Sequence, residues 1–277
     1  AMLISHGSHV LHENLFAKYE WSIHAHTIFN SKYPFVALQT PWAKDFFKDQ
    51  NDTLSQGIET GLLLLSKGNY SNNYKSKIRK KIFGKHENKR ILIHASTPKK
   101  WDAFRPWIYE TVDEYVRNIN EIIKAVDAIP DLYLAIRFRP KEGLTLSDLT
   151  MLLVKSDSYD IYSEGVFEEH LLASDLLLSY SSTTIEEALQ NHVPVLQYDP
   201  DDKYVHIPGQ VLSTDIDSNH AAVIYSVHSE SDLMSALYWW SNNHPRDSDN
   251  ELFSWPEYIL KGVNKVELLK TMDKFIC

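Results

Sequence analysis

From residue 91 onward the chain alternates short apolar runs with helical stretches of 8–15 residues, and that alternation constrains the fold more than any other feature. Ile91-Leu92-Ile93, Leu132 to Ile136, Asp160-Ile161-Tyr162, Asp175 to Ser179, Val193 to Tyr198 and Val223 to Val227 read as strands. Between and after them lie helical patterns from Thr111, from about Ser147 to Val154, from Val166 to Ala173, over IEEALQNH, and from Asp232 to Trp240. Consecutive strands joined through helices are parallel, so the expected class is α/β with a Rossmann-type parallel sheet. Thr111 followed by Glu114 forms a capping box, and Tyr115, Ile119, Ile122 and Val126 then recur on one helical face until Pro130 stops it. Glu257 to Ile276 closes the chain with helical spacing.

The first 65 residues repeat the theme more weakly. Met2-Leu3-Ile4 and Pro34 to Leu38 read as buried strands ending in polar loops, and Pro41 opens a helix. Lys67 to Arg90 is rich in Lys, Asn, Ser and Gly and is expected to be a solvated basic linker with some helix. The expected division is therefore an N-terminal α/β part at 1–85 and a Rossmann-like domain at 86–277. The N-terminal part is too short for a complete Rossmann-like half, so it is expected to be trimmed or minimal.

Composition removes several function classes. With 43% hydrophobic residues the chain can bury a core, and its net charge of −9 gives no overall basic surface for nucleic acid. The lone Cys277 excludes an intrachain disulfide and a cysteine-rich zinc site. No apolar window is long enough to span a bilayer, and the first residues lack a signal-peptide layout, so a cytoplasmic location is expected. Dinucleotide, P-loop and serine-elbow fingerprints are all missing.

Ligands of open parallel sheets bind beyond the carboxyl ends of strands. The polar clusters expected there are His6-Gly7-Ser8, His94 to Thr97, Arg137/Arg139/Lys141, Tyr180 followed by Ser181, Ser182, Thr183 and Thr184, and Asp199 to Asp202. Four consecutive hydroxyl residues before a helix suit a phosphate or carboxylate, and Thr183/Glu186 and Thr184/Glu187 both fit a capping box. Arg137, Arg139 and Lys141 alternate, so they point to one side if extended geometry persists. His9, His12, His24 and His26 crowd near Glu13 and Glu20, at spacings that match no zinc signature; a His/carboxylate pair for acid–base work is the better reading there.

The stretch HLLASDLLLSYSSTTIEEALQNHVPVLQYDP resembles the donor-binding half of a GT-B glycosyltransferase. Taken with ISHGSHV, QTPWAKDF and RFRPK, the chain is most similar to bacterial surface-polysaccharide transferases of capsule and lipopolysaccharide synthesis. These include the β-Kdo transferases, which use CMP-activated acidic sugars, and the CDP-glycerol glycerophosphotransferases of teichoic acid synthesis. The resemblance implies a metal-independent enzyme with no cofactor, a nucleotide-activated donor and a glycan or lipid-linked acceptor. It also implies peripheral contact with the inner membrane face. It assigns Gly7, Ser8, Ser96, Thr97, Arg137, Arg139, Lys141, Glu164 and Tyr180 to Thr184 to the donor, and His6, Glu13 and Glu20 to catalysis. Relatives often show Arg-x-His-Pro where this chain has Arg137-Phe138-Arg139-Pro140. A catalytically silent nucleotide- or glycan-binding domain is the alternative of a different class.

Overall fold

The computed structural model describes residues 1–5, 9–29, 33–50, 54–63, 71–96, 98, 107–140, 143–211, 222–244, 255–261 and 263–276. The chain groups into two compact units: unit 1 is Ala1–Ser66, Lys203–Ile207 and Trp255–Cys277, and unit 2 is Lys67–Asp202 with Pro208–Ser254. This grouping differs from a division at 85/86. The basic segment belongs to unit 2, and the C-terminal helices belong with the N-terminal strands.

Unit 1 holds β1 (Met2–Ile4), α1 (Leu15–Phe29), β2 (Phe35–Leu38), α2 (Pro41–Lys48) and β3 (Gln56–Glu59). Its three strands are parallel in the order β1-β2-β3. Thr40 caps α2 by accepting from the Ala43 amide, and Pro41 sits where its missing N–H costs nothing. Strand β3 carries Gly57 because a Cβ there would lie 2.7 Å from Leu38 Cδ1 and 2.8 Å from Phe47 Cε1.

Unit 2 begins with α3 (Asn72–Phe83), a short 3-10 turn at Gly84–His86, and β4 (Arg90–Ala95). It continues through α4 (Val112–Asp127), β5 (Leu132–Arg137), α5 (Leu146–Leu152), β6 (Tyr159–Tyr162), α6 (Phe167–Leu172), β7 (Leu176–Ser179), α7 (Thr184–Gln190), β8 (Val195–Tyr198), β9 (Gln210–Val211), β10 (Ile224–Val227) and α8 (Glu230–Asn243). The seven strands form one parallel sheet in the order β6-β5-β4-β7-β8-β10-β9. In unit 1 the chain ends with α9 (Glu257–Lys261) and α10 (Lys265–Ile276), tied to β3 by the Asn264 amide, which donates to the Thr60 carbonyl at 2.8 Å.

Strand periodicity explains why the unit-2 strands are almost uniformly apolar. Leu92, Leu134, Ile136, Leu176 and Leu178 face a core built with Tyr115, Ile119, Ile122 and Val126 of α4 and Leu233, Leu237 and Trp240 of α8. Their neighbours Ile91, Tyr133 and Ala135 face the other side, against Ile78 and Phe83 of α3. Both faces are covered, so both residue parities must be apolar. The Lys-rich segment thus holds a helix that packs Ile78 and Phe83 into unit 2, while Lys77, Lys80 and Lys81 stay exposed. Arg79 donates to both carboxylate oxygens of Asp175 (3.1 and 2.8 Å) and to the carbonyls of Glu87 (2.8 Å) and Ala173 (2.9 Å).

The Thr111/Glu114 capping box forms as expected, with the Glu114 amide donating to Thr111 Oγ1 at 3.2 Å and the Thr111 amide to Glu114 Oε2 at 2.9 Å. Thr111→Ala is expected to cost about 1 kcal/mol of unit-2 stability. Chemical denaturation measures it, and a change within error would deny the cap any role. Among the described residues, no helix is long and apolar enough to cross a membrane.

Candidate functional site

The order of the unit-2 strands reverses between β4 and β7: the chain leaves the sheet centre through β5 and β6, then returns on the other side through β7 and β8. Crossover connections diverge at such a point and leave a crevice beyond the carboxyl ends of the two strands. Ser96 follows β4 there, and the hydroxyl loop follows β7. The loop is fastened to β4 by two hydroxyls that donate to the Ala95 carbonyl, Ser179 Oγ at 2.7 Å and Thr184 Oγ1 at 3.2 Å.

Within the loop, Ser181 to Thr184 are half-buried and Tyr180 is buried. The two expected capping boxes do not form. Thr183 sits at φ −60°, ψ −9°, already helical, so its hydroxyl is not turned back onto the helix amides. Ser182 Oγ instead accepts weakly from the Thr184 amide at 3.3 Å. Ser181 and Thr183 make no such local hydrogen bond among the described residues.

A strongly perturbed acid at this edge, Glu110, is one the sequence reading passed over. Glu110, 4% exposed, accepts from Ser96 Oγ at 2.6 Å on one oxygen and from Asn118 Nδ2 at 2.8 Å on the other. Burial pushes its carboxyl up to about 7; the Ser96 and Asn118 hydrogen bonds pull the other way, and the charges of Asp199 and Glu114 raise it further. Asp199 is the first residue beyond β8, so three strand ends contribute to this pole of the sheet: Ser96, the 179–184 loop and Asp199. The Tyr115 phenol is fully buried, has no hydrogen-bond partner among the described residues, and is held un-ionised by burial and by Glu110. His94, packed against Tyr115 with ring centroids 5.6 Å apart, is kept neutral by burial, down to about 4. The available signal was a single acid, Glu110, between Tyr109 and the Thr111 cap.

The arginine cluster resolves differently from expectation. β5 ends at Arg137, so the alternation does not carry on to Arg139. The Arg137 guanidinium is spent on backbone, donating to the Tyr162 carbonyl at 3.1 Å, the Gly165 carbonyl at 3.1 Å and the Glu164 carbonyl. It closes the β6–α6 loop. Gly165 adopts φ +86°, and a Cβ there would lie 2.9 Å from His170 Cε1, so the loop it closes needs glycine. Arg139 is exposed, and the Glu164 side chain is exposed beyond β6, two strands from β4. The Asp199-Pro-Asp-Asp turn holds Arg117 through Asp201 at 2.5 Å, and no cluster among the described residues could hold a metal ion.

In unit 1, Glu13 is exposed just before α1 and Glu20 is half-buried on it. His9 accepts or donates a 2.6 Å hydrogen bond with Ser5 Oγ and packs on Trp21, Phe29 and Phe46. His12 packs on Tyr204 at 4.9 Å, and burial beside His206 brings it down to about 4. Both read as core histidines. His6, Gly7, Ser8, Thr97 and Lys141 lie outside the described residues.

No protein-family model and no curated protein matches the sequence. Among solved structures the chain is similar to the S. aureus MnaA–UDP co-structure, with TM-score 0.57 and 14% identity over 91% of this chain and 67% of that one. It is similar to TarM with TM-score 0.54 and 13% identity over 98% and 49%. The wall teichoic acid polymerase TagF aligns with TM-score 0.46 and 13% identity over 96% and 64%. The chain thus spans about half to two thirds of the length of these neighbours. MnaA and TarM establish the fold, a mixed α/β architecture of parallel sheets in the GT-B class.

Proposed function

We propose that this chain is a transferase of the GT-B type that binds a nucleotide-activated donor at the β4/β7 edge of unit 2 and serves bacterial surface-polymer synthesis. The observation that carries the reading is the joining of the hydroxyl loop to the end of β4 through the Ala95 carbonyl, at the point where the strand order reverses. There Ser181, Ser182 and Thr183 offer hydroxyl donors beside loop amides, the equipment a phosphate needs. Ser96, Tyr180 and Thr184 complete the donor edge in this proposal; the resemblance adds Gly7, Ser8 and Thr97 to donor binding and gives His6, Glu13 and Glu20 to catalysis. The donor is a nucleotide-activated substrate, and no metal or cofactor is invoked.

Two donor classes follow from the resemblance, a CMP-activated acidic sugar and a CDP-polyol. The commitment of Arg137 to three carbonyls favours the second, because a sugar carboxylate calls for a free guanidinium fork and Arg137 has none left to offer. Incubation with CMP-Kdo, CMP-sialic acid and CDP-glycerol, read as nucleotide release, separates the two. Binding without release from any donor would instead indicate a silent nucleotide-binding domain. Replacing Ser181 and Ser182 together by Ala is expected to weaken donor binding by about 2–3 kcal/mol, and unchanged affinity by calorimetry would remove the loop from the site.

A further inference from the structure

We propose that an anionic ligand at the β4/β7 edge binds together with one proton, which resides on Glu110 and converts the Ser96 hydroxyl from a donor toward the protein into a donor toward the ligand. This deepens the donor-site reading above and rests on it. The argument begins with hydrogen-bond inventory. An ionised carboxylate only accepts, and both Glu110 oxygens are occupied by donors, Ser96 Oγ at 2.6 Å and Asn118 Nδ2 at 2.8 Å. In that state the single proton of Ser96 is spent on Glu110, and Ser96 can offer a ligand only lone pairs, which repel phosphate. A protonated Glu110 reverses the bond: the acid donates to Ser96 Oγ, Asn118 still donates to the other oxygen, and the Ser96 proton is released.

Charge points the same way. Glu110 is faced by Asp199 from the end of β8 and by Glu114 from the first turn of α4. Its other titratable neighbours are the Tyr115 phenol of α4 and, behind that ring, His94 of β4, both held neutral. An ionised Glu110 beside Asp199 and Glu114 adds to the like charge that an arriving phosphate meets, and protonation of Glu110 relieves it. Its carboxyl already sits near neutrality, so the proton is supplied at little cost around pH 7. Glu110 is in this sense a positioning residue, acting through Ser96.

The test uses CDP-glycerol and UDP-N-acetylglucosamine, whose diphosphodiesters keep a constant charge across neutral pH. For the full chain, the dissociation constant is expected to rise roughly tenfold from pH 6 to pH 8. Calorimetry in buffers of different ionisation heat should show close to one proton taken up per ligand at pH 8. Glu110→Gln keeps both hydrogen bonds in the protonated pattern, its amide donating to Ser96 and its carbonyl accepting from Asn118. This variant is expected to bind at pH 8 as the unaltered chain does at pH 6, with no pH dependence and no proton uptake. Affinity that is flat with pH in the unaltered chain, or a pH dependence that survives in Glu110→Gln, overturns the proton linkage and leaves the donor site standing. Failure of both probes to bind at any pH overturns the two together.

Discussion

Arg79→Ala is expected to lower the stability of unit 2 by about 3–5 kcal/mol, as removal of one partner from a part-buried ion pair does. The expectation rests on what the side chain holds. Its fork meets both oxygens of Asp175, and its remaining donors close the carbonyls of Glu87, Lys89 and Ala173. Asp175 in turn accepts from the Ile91 amide at 2.7 Å, so the pair joins α3, the start of β4 and the start of β7. Deleting the guanidinium leaves a half-buried carboxylate with one donor and three carbonyls without theirs. Arg79→Lys should recover only part of the loss, since an ammonium cannot span two oxygens and three carbonyls at once. Calorimetry is the suitable measurement because two units can melt separately. A loss under about 1 kcal/mol would show that the pair is surface decoration.

The second large effect concerns pH. Glu110 and His94 lie in the same unit with opposite displacements, the acid from 4.5 up to about 7 and the imidazole from 6.5 down to about 4. Folded Glu110 keeps its proton where the unfolded chain has lost it, so its contribution falls as pH rises from 4.5 to 7. Folded His94 refuses a proton that the unfolded chain accepts, so its contribution rises with pH from 4 to 6.5. Between about pH 4.5 and 6.5 the two slopes cancel. Glu110→Gln removes one of them. Relative to the unaltered chain the variant is expected to gain about 3 kcal/mol of unit-2 stability as pH goes from 4.5 to 7, with no difference at pH 4. Parallel stability profiles for the two proteins would mean that Glu110 is ionised in the folded state.

The parts of this architecture legible in the sequence are those where one physical demand dominates. β4, β5, β7 and β8 are buried on both faces, and a continuous apolar run is what that requires. Helix α1 escaped notice because its apolar residues fall on two sides: Ala17, Trp21, Ala25 and Phe29 are buried while Leu15, Phe16, Tyr19 and Ile23 are exposed, which cancels the periodic signal. Strand β3, Gln56–Glu59, is half exposed and centred on a glycine chosen for close approach, so no strand pattern survives. At the site, the hydroxyl loop was evident because four such residues adjoin in sequence. Glu110 was not, since its partner Ser96 is separated from it by a long connection and only the fold reunites them. For Arg137 the alternation was real but the strand stopped, and neighbouring carbonyls claimed the guanidinium.

Unit 1 is assembled from three separate stretches of chain, with the last, from Trp255, carrying the Asn264 amide that donates to the Thr60 carbonyl. During synthesis the ribosome therefore releases every strand of unit 2 before it delivers the closing helices of unit 1. The N-terminal strands must wait, incomplete, while the larger sheet forms. A chain ended at residue 254 is expected to keep β4 to β10 resistant to limited proteolysis and to leave residues 1–66 readily cleaved, and equal protection of both would show that the late helices are dispensable for the early strands.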